Sequence, residues 1–393
     1  MGATASARKL AIDGGVPVSA ETIPVVSARL EDDEIDAAVE VMRSGQLRQG
    51  SVCAEFESRF ASMTGAQFAL TTSNGTTALQ LAYEPLFEPG DEVLCPGYTF
   101  IATVSMVFAR GARPVLCEID PDNFAIDPDD AEQRITDRTR AIAVTHLYGN
   151  PANIAAIEAL AKRRGLKVIY DAAQSHLARY DGRGIGAFGD TVTYSFYPTK
   201  NMTTGEGGMV TTNDGDLARE LSLVRDHGME PGRRYHHVAL GYNYRLNDVA
   251  AAIGLKQLDK LTERTRRRQR NAARLTERLE SVDAVIPPKP TERAEHVYHQ
   301  YTIRLNLDAL RVDRDEFARA LGAEGVGYAL HYPTAVHEQP MVQERMKDDL
   351  PDLPVCVRTA REVLCLPVHP NLTDEQIDQI TEAVAKVADA YAV

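Results

Sequence analysis

The sequence predicts an α/β fold: a large domain built on a mainly parallel sheet flanked by helices, then a smaller α+β C-terminal domain. Two observations carry this. Up to about residue 245, short β-rich runs alternate with helical stretches, and the runs are apolar at consecutive positions, as strands covered on both faces are. Beyond that point the texture changes to one long helical pattern followed by mixed strand and helix signals. The 393 residues suit one large domain with a smaller partner. We place the large domain at residues 1–250, N-terminal segment included, and the small one at 251–393.

The elements follow in order. "QFALTTS" reads as a strand and "TTALQLAYEPL" as the helix after it. "DEVLCPG" is a strand, and "TFIATVSMVFARG" a helix ended by Gly111. "RPVLCEID" is a strand, "AIAVTHLYG" another, and a helix runs through "ANIAAIEALAKRRG". The strands "KVIYDAAQ", "TVTYSFYP" and "GMVTTN" complete the sheet. "NDVAAAIGLKQLDKLTERTRRRQRNAARLTERLESV" is one long helix, stopped near the prolines of "IPPKP", that bridges the two domains. The arginine-rich run at 265–268 is read as a solvated helix face. "HVYHQYTIRL" is strand-like and "RDEFARALGAEG" helical; "TDEQIDQITEAVAKVADAY" is an amphipathic last helix with Thr373 as N-cap.

Composition removes several classes of function. Hydrophobic residues at 44% and charged residues at 25% are ordinary for a soluble globular chain. A net charge of −13 lacks the basic footprint of a general nucleic-acid binder, though a few local charges suffice for a small anion. Cys53, Cys95, Cys117, Cys356 and Cys365 form no C-x-x-C pair and join no histidine cluster. They read as buried thiols in a reducing cytosol, with no metal expected. No apolar run has membrane-spanning length, and the N-terminus lacks a signal-peptide core, so a cytoplasmic protein is expected. "MGATAS" fits the M-G-x-x-x-[ST] acylation pattern but is read as a plain disordered N-terminus.

In such sheets ligands bind at the carboxyl ends of strands. "SFYPTKNMTTGEGG" (195–208) sets Lys200 before Gly205, Gly207 and Gly208, where it suits a phosphate, a nucleophilic amine or a solvated charge. "TTSNGTTAL" puts Gly75, Thr76 and Thr77 at a helix start, suited to a phosphate or to an ordinary cap. "KVIYDAAQ" ends its strand at Asp171, which faces a ligand or caps a helix. His146, after another strand, is left unassigned. "GRGIGAFG" holds G-x-G-x-x-G but precedes a strand rather than opening a helix, so it is read as a turn. "TTGEGG" lacks the G-K-[ST] ending of a nucleotide-hydrolysing loop. A phosphate cup, a carboxylate and a lysine with Ser195 five residues before it together match pyridoxal 5′-phosphate. The lysine takes its aldehyde as a Schiff base, and the carboxylate keeps its ring nitrogen protonated. Tyr98 in "CPGYTF" is the aromatic candidate for the ring face.

These residues sit within longer motifs. "NGTTAL", "GYTFIAT", "HLYG", "YDAAQSHLA", "SFYPTKNMTTGEGGM", "RDHG", "GYNYRLNDVAAAIGLKQL" and "CLPVHPNLTDEQI" span nearly the whole chain. They resemble the DegT/DnrJ/EryC1/StrS sugar aminotransferases, of aspartate-aminotransferase fold type I with its seven-stranded sheet. The resemblance implies that Lys200 holds the cofactor and moves the substrate proton, and that Asp171 pairs with the pyridine nitrogen. It implies Gln174 against the ring, Ser195 with Thr76 and Thr77 on the phosphate, and Tyr98 over the ring. Asn243 would reach the phosphate in the other subunit of a homodimer whose active sites lie at the interface. Arg225 in "RDHG" and His331, Tyr332 and His337 in "HYPTAVHEQP" match segments near the sugar pocket. Tyr170 stands where the family commonly has Glu, and Asn150 where Gln is frequent.

The implied reaction moves an amino group from L-glutamate, or L-glutamine, to a nucleotide-linked keto-deoxysugar, with pyridoxamine 5′-phosphate as the carrier between ping-pong halves. The 4-keto-6-deoxy and 3-keto-6-deoxy sugars of dTDP or UDP are the expected acceptors. One alternative acceptor is a cyclitol ketone such as scyllo-inosose, since some family members with that activity carry a "GG-x-P-V" like Gly14–Val18. Related dehydratases put His where this chain has Lys200. A regulatory protein on the same scaffold is expected to have lost the lysine or the aspartate. Neither membrane nor nucleic acid is an expected partner.

Overall fold

A computed structural model describes residues 9–393; the "MGATAS" pattern lies outside the described residues. The first part of the chain runs α1 (Asp32–Ser44), α2 (Ser51–Thr64), β1 (Phe68–Thr72), α3 (Gly75–Tyr83), β2 (Glu92–Pro96), α4 (Ala102–Ala109), β3 (Arg113–Cys117), α5 (Pro128–Gln133), β4 (Thr139–Thr145), α6 (Ile154–Arg164) and β5 (Lys167–Asp171). A short ribbon, β6 (Arg179–Tyr180) and β7 (Arg183–Gly184), precedes β8 (Thr191–Ser195), β9 (Gly208–Thr212) and α7 (Gly215–Arg225). After α8 (Asp248–Leu279) come β10 (Val285–Ile286), β11 (Ala294–Glu295), β12 (Tyr301–Leu305), α9 (Arg314–Ala323), α10 (Pro340–Met346), α11 (Pro354–Glu362), β13 (Val363–Leu366) and α12 (Asp374–Tyr391).

The seven-stranded sheet has the order β1-β9-β8-β5-β4-β2-β3. It is parallel from β8 to β3, and β9 pairs antiparallel with both β8 and β1. Alternate residues enter opposite cores, as a pleat requires. Val93, Cys95, Ala143 and Ile169 pack on the side of α3 and α4, while Leu94, Ile142, Val144, Val168 and Tyr170 join the core that holds Phe56, Leu160 and Leu258. Because both faces are covered, the strands read as unbroken apolar runs. "GRGIGAFG" forms the β7 turn, and Gly184 is needed there because a Cβ would stand 2.2 Å from the Thr64 carbonyl oxygen.

Helix α8 has 32 residues, about 48 Å of rise. Ala251, Leu258 and Leu261 belong to the large-domain core, and Ala272, Leu275 and Leu279 to the C-terminal one. The inward stripe Leu261, Thr265, Arg268, Ala272 follows helical spacing. This corrects the reading of the arginine run: Arg266 and Arg267 are exposed, but Arg268 turns inward with the stripe.

The N-terminal segment also departs from the expected division. Leu10 and Ile23 pack in the C-terminal core, and Ile23 bridges to Val326. Buried Glu324 accepts from the backbone N–H of Ala11 (2.8 Å) and Val18 (3.1 Å), and Lys386 Nζ donates to Glu324 (2.8 Å) and to the Val16 carbonyl (2.9 Å). "GGVPV" is thus a structural wedge, with Gly15 only 2.0 Å, at a built Cβ, from the Lys9 carbonyl oxygen. Replacing Glu324 with Ala leaves Lys386 a buried, unpaired charge and is expected to cost about 3–5 kcal/mol. Denaturant unfolding at pH 7 measures it; a loss within about 0.5 kcal/mol would show that the clamp contributes little. No helix among the described residues is long and apolar enough to cross a membrane.

Candidate active site

Three strands deliver their last residues to one place. Thr145 pairs with Asp171 across β4 and β5, Asp171 with Thr193 across β5 and β8, and Gly208 of β9 stands opposite Ser195. A cavity of about 660 Å³ opens above these ends. Of the residues singled out in the sequence, Gly75, Thr76, Thr77, Asp171, Gln174, Ser195, Lys200, His331 and Tyr332 all line it.

The cup is made where α3 begins. Asn74 Oδ1 accepts from the Thr77 N–H (2.9 Å), and the Thr77 hydroxyl meets the Asn74 N–H (3.1 Å). That reciprocal cap commits the Thr77 hydroxyl, while the N–H groups of Gly75 and Thr76 belong to the first turn and have no partner within the helix. Gly75 lets the helix end approach β8, since a Cβ there would stand 2.7 Å from Ser195 Cβ. The Ser195 hydroxyl therefore lies beside two free N–H groups and a positive helix end, a setting for a phosphate.

Asp171 is buried at the end of β5. Thr103 donates to Oδ2 (2.7 Å) and the Ala173 N–H to Oδ1 (3.0 Å). Burial pushes its pKa up, against those two donors and the charge of Lys200. It makes no ion pair among the described residues, so it faces the cavity as a carboxylate in want of a cation. Lys200 sits in a tight turn after β8, its N–H on the Tyr197 carbonyl (2.9 Å). Burial draws its pKa down to about 8, against the opposing pull of Asp171.

An amine with that shift binds fewer protons folded than unfolded between pH about 8 and its ordinary 10.5. Stability of the cofactor-free protein therefore rises with pH across that window, and the burden on folding is full below it. Lys200→Met is expected to raise stability at pH 7 by on the order of 1–3 kcal/mol and to flatten this rise. Unfolding midpoints of the cofactor-free proteins from pH 7 to 10.5 test it; parallel curves for the two would contradict it.

Gln174 is locked by the Tyr148 N–H on Oε1 (2.7 Å) and by its own Nε2 donating to the Tyr332 hydroxyl (3.1 Å). His331 bonds Gln300 through Nδ1, and its carbonyl accepts from the Tyr148 hydroxyl.

Three expected residues are placed elsewhere, while Asn243, expected at the other subunit's cofactor, lies outside this chain's own cavity. Tyr98 is fully buried beneath the site, its hydroxyl on those of Tyr148 (3.0 Å) and on the Tyr332 carbonyl (3.1 Å). Phe100, two residues on and 50% exposed, lines the cavity in its stead. Arg225 is held by Glu57 (2.6 Å) and the Thr71 carbonyl (3.0 Å), away from the cavity, so it stabilises the β1 edge. His337 is half-buried in a short turn outside the cavity lining. Asn243 is exposed and outside the cavity. His146 is structural, stacked on Tyr170 at 4.8 Å with Nδ1 accepting from the Ala152 N–H. Asn150 ties residues 289 and 291 through its side-chain amide. Sequence reasoning missed Phe100, Thr103, His299 and Gln300; Phe100 and Thr103, both inside "GYTFIAT", carried a signal.

The donor set fits pyridoxal phosphate. An unpaired buried carboxylate suits its ring nitrogen, the glycine-backed cup its phosphate, and a low-pKa amine its aldehyde. Comparison with known proteins agrees. A model of the DegT/DnrJ/EryC1/StrS aminotransferase family matches residues 28–385. The chain is 40% identical to the pleiotropic regulatory protein of Geobacillus stearothermophilus, over 88% of this chain and 92% of that one. It is 38% identical to GDP-perosamine synthase of Caulobacter vibrioides, over 93% and 98%. The crystal structure of DesV from S. venezuelae superposes with a TM-score of 0.87 at 36% identity, covering 93% of this chain and 99% of that one.

Proposed function

The chain belongs to the DegT/DnrJ/EryC1/StrS aminotransferase family and is a pyridoxal-phosphate-dependent aminotransferase, and on that premise we propose that it carries an amino group from L-glutamate, or L-glutamine, to a nucleotide-linked keto-deoxysugar in the cytoplasm. The acceptor is a 4-keto-6-deoxy or 3-keto hexose on dTDP, UDP or a related nucleotide. The observation that carries the reading is the joint placement of Lys200, Asp171 and the α3 cup around one cavity. A nucleotide-sugar synthase among the relatives supports the acceptor class.

When bound, pyridoxal phosphate supplies an aldehyde that takes up the amino group and a protonated ring that draws electrons from the reacting carbon. The chain supplies the rest. Gly75, Thr76 and Ser195 hold the phosphate end. Asp171, fixed by Thr103 and Ala173, holds a positive charge on the ring nitrogen. Phe100 covers one face, and Gln174 is steered by Tyr148 and Tyr332. Lys200 Nζ, once released, is neutral for part of the time near pH 8 and so takes and returns the proton at the substrate carbon.

The working unit in this proposal is a homodimer. The loop before Asn243 exposes Tyr235 (74%) and Leu240 (81%), apolar groups suited to burial against a second copy. Asn243 on this exposed segment reaches the neighbouring site. The cyclitol alternative rests on "GGVPV" alone, and Val16 and Val18 in it also have a structural task in the Glu324 clamp. The regulatory name of one relative belongs to that protein; this chain keeps both Lys200 and Asp171.

The test is spectroscopic. The visible band of the purified holoenzyme is expected to bleach with L-glutamate or L-glutamine and to return with a keto-sugar nucleotide. Return with scyllo-inosose but with no sugar nucleotide would replace the acceptor; a band unmoved by any amino acid would remove the transfer.

A further inference from the structure

Lys200 also lines a second, smaller cavity of about 190 Å³. Its walls include Arg29, Arg264 and Arg268, which with Lys200 outnumber its one carboxylate, Glu31, in a chain of net charge −13. Arg264 is engaged by Glu31 (2.8 Å) and Gln257 (2.9 Å). Arg268 is different. It is only 9% exposed, one guanidinium nitrogen donates to the carbonyls of Tyr298 and His299 (both 3.3 Å), and Nε has no partner. No carboxylate pairs with it among the described residues. Glu31, the carboxylate in the same wall, is engaged by Arg264 and Lys260. His176, His299 and His369 are held neutral, by burial first and then by nearby cations. Burial and the charge of Arg264 bring Arg268 down to about 10, so it stays charged at neutral pH. A buried guanidinium without a counter-charge is unfavourable, and it is the group best shaped to take a carboxylate two-pronged.

We propose that this pocket is a carboxylate subsite for the amino donor, with Arg268 as the residue that selects the donor. The inference rests on the aminotransferase reading. The donor amine must arrive where Lys200 Nζ acts, and its acidic arms must then leave that point. The larger cavity carries the cofactor and the acceptor. The smaller one, sharing Lys200 and Thr199 with it, admits a carboxylate on a short carbon arm but is too small for a nucleoside diphosphate. The α-carboxylate and the side-chain carboxylate share this chemistry.

The experiment titrates succinate, an unreactive dicarboxylate, calorimetrically into the cofactor-loaded protein, wild type and two variants. Arg268→Lys keeps a cation and a donor for the carbonyls. Ser27→Asp leaves every Arg268 bond in place and sets a like charge in the pocket from a half-buried loop position. Both are expected to bind succinate about tenfold more weakly or worse, with melting temperature and cofactor absorbance held as controls. Unequal donors then name the arm. A matched loss for L-alanine and L-glutamate in the bleaching half-reaction assigns the α-carboxylate; a loss for L-glutamate alone assigns the side chain. No succinate binding to wild type, or equal binding in all three, overturns the subsite. Succinate binding lost in the variants, with no amino acid bleaching the wild type, leaves the subsite standing and removes the transfer reading.

Discussion

Replacing Lys200 with alanine is expected to abolish amino transfer, with kcat lower by at least about 10⁴-fold, while fold and assembly survive and the cofactor is held only reversibly. The size of the effect follows from the site. Lys200 is a basic side chain that lines the cavity beside Asp171, and in the proposed reaction it combines two tasks, holding the cofactor and moving the proton at the substrate carbon. Removing a covalent attachment and a general base together costs more than either alone, because no neighbour replaces them. His299 and His331 line the same cavity, but burial depresses the pKa of both. They are weak bases there and do not substitute. Folding is not the cause of the loss, since the buried amine burdens the cofactor-free protein. Single-turnover absorbance with L-glutamate separates the tasks: the variant is expected to bind cofactor reversibly, to leave on gel filtration, and to show no bleaching. Turnover within tenfold of wild type would take Lys200 out of the chemistry.

Much of this site was legible because its parts end strands. Asp171 and Ser195 occupy the last positions of β5 and β8, the strand ends at which such a sheet places its ligands. The α3 cup announced itself through Gly75 and two threonines after a strand. What was hidden depends on side-chain direction. Tyr98 and Phe100 are two residues apart, and only the turn between β2 and α4 decides that the first goes under the site and the second into it. Thr103 ends the motif "GYTFIAT", but nothing local shows its partner; it reaches Asp171 from the first turn of α4, across 68 residues of sequence. Arg268 looked like one charge in a solvated run, and helical phase alone turns it inward. Arg225 failed for the opposite reason. Its motif is real, but Glu57 and the Thr71 carbonyl hold its guanidinium outside the cavity.

Asp171→Asn is the second large effect expected, a fall in kcat of roughly 100- to 1,000-fold. The substitution preserves shape. An asparagine oxygen can still accept from the Ala173 N–H, and the Thr103 hydroxyl can turn to accept from the new amide, so neither donor is orphaned. What disappears is the negative charge. Asp171 makes no ion pair with any described side chain; in the proposed reaction the cationic ring nitrogen is its partner, and in a water-excluded site that pairing is strong. An amide cannot hold the nitrogen protonated, and the electron pull at the reacting carbon weakens. Both half-reactions pass through that step, so both are expected to slow together, while KM for the proposed sugar nucleotide stays within about threefold. Adding N-methylated pyridoxal phosphate, whose ring charge is permanent, is expected to restore part of the rate in the Asn variant and to leave the Lys200 variant inactive. A variant that slowed only the sugar half-reaction would instead place Asp171 on the acceptor, and the assignment of the ring end of the cavity would have to be reversed.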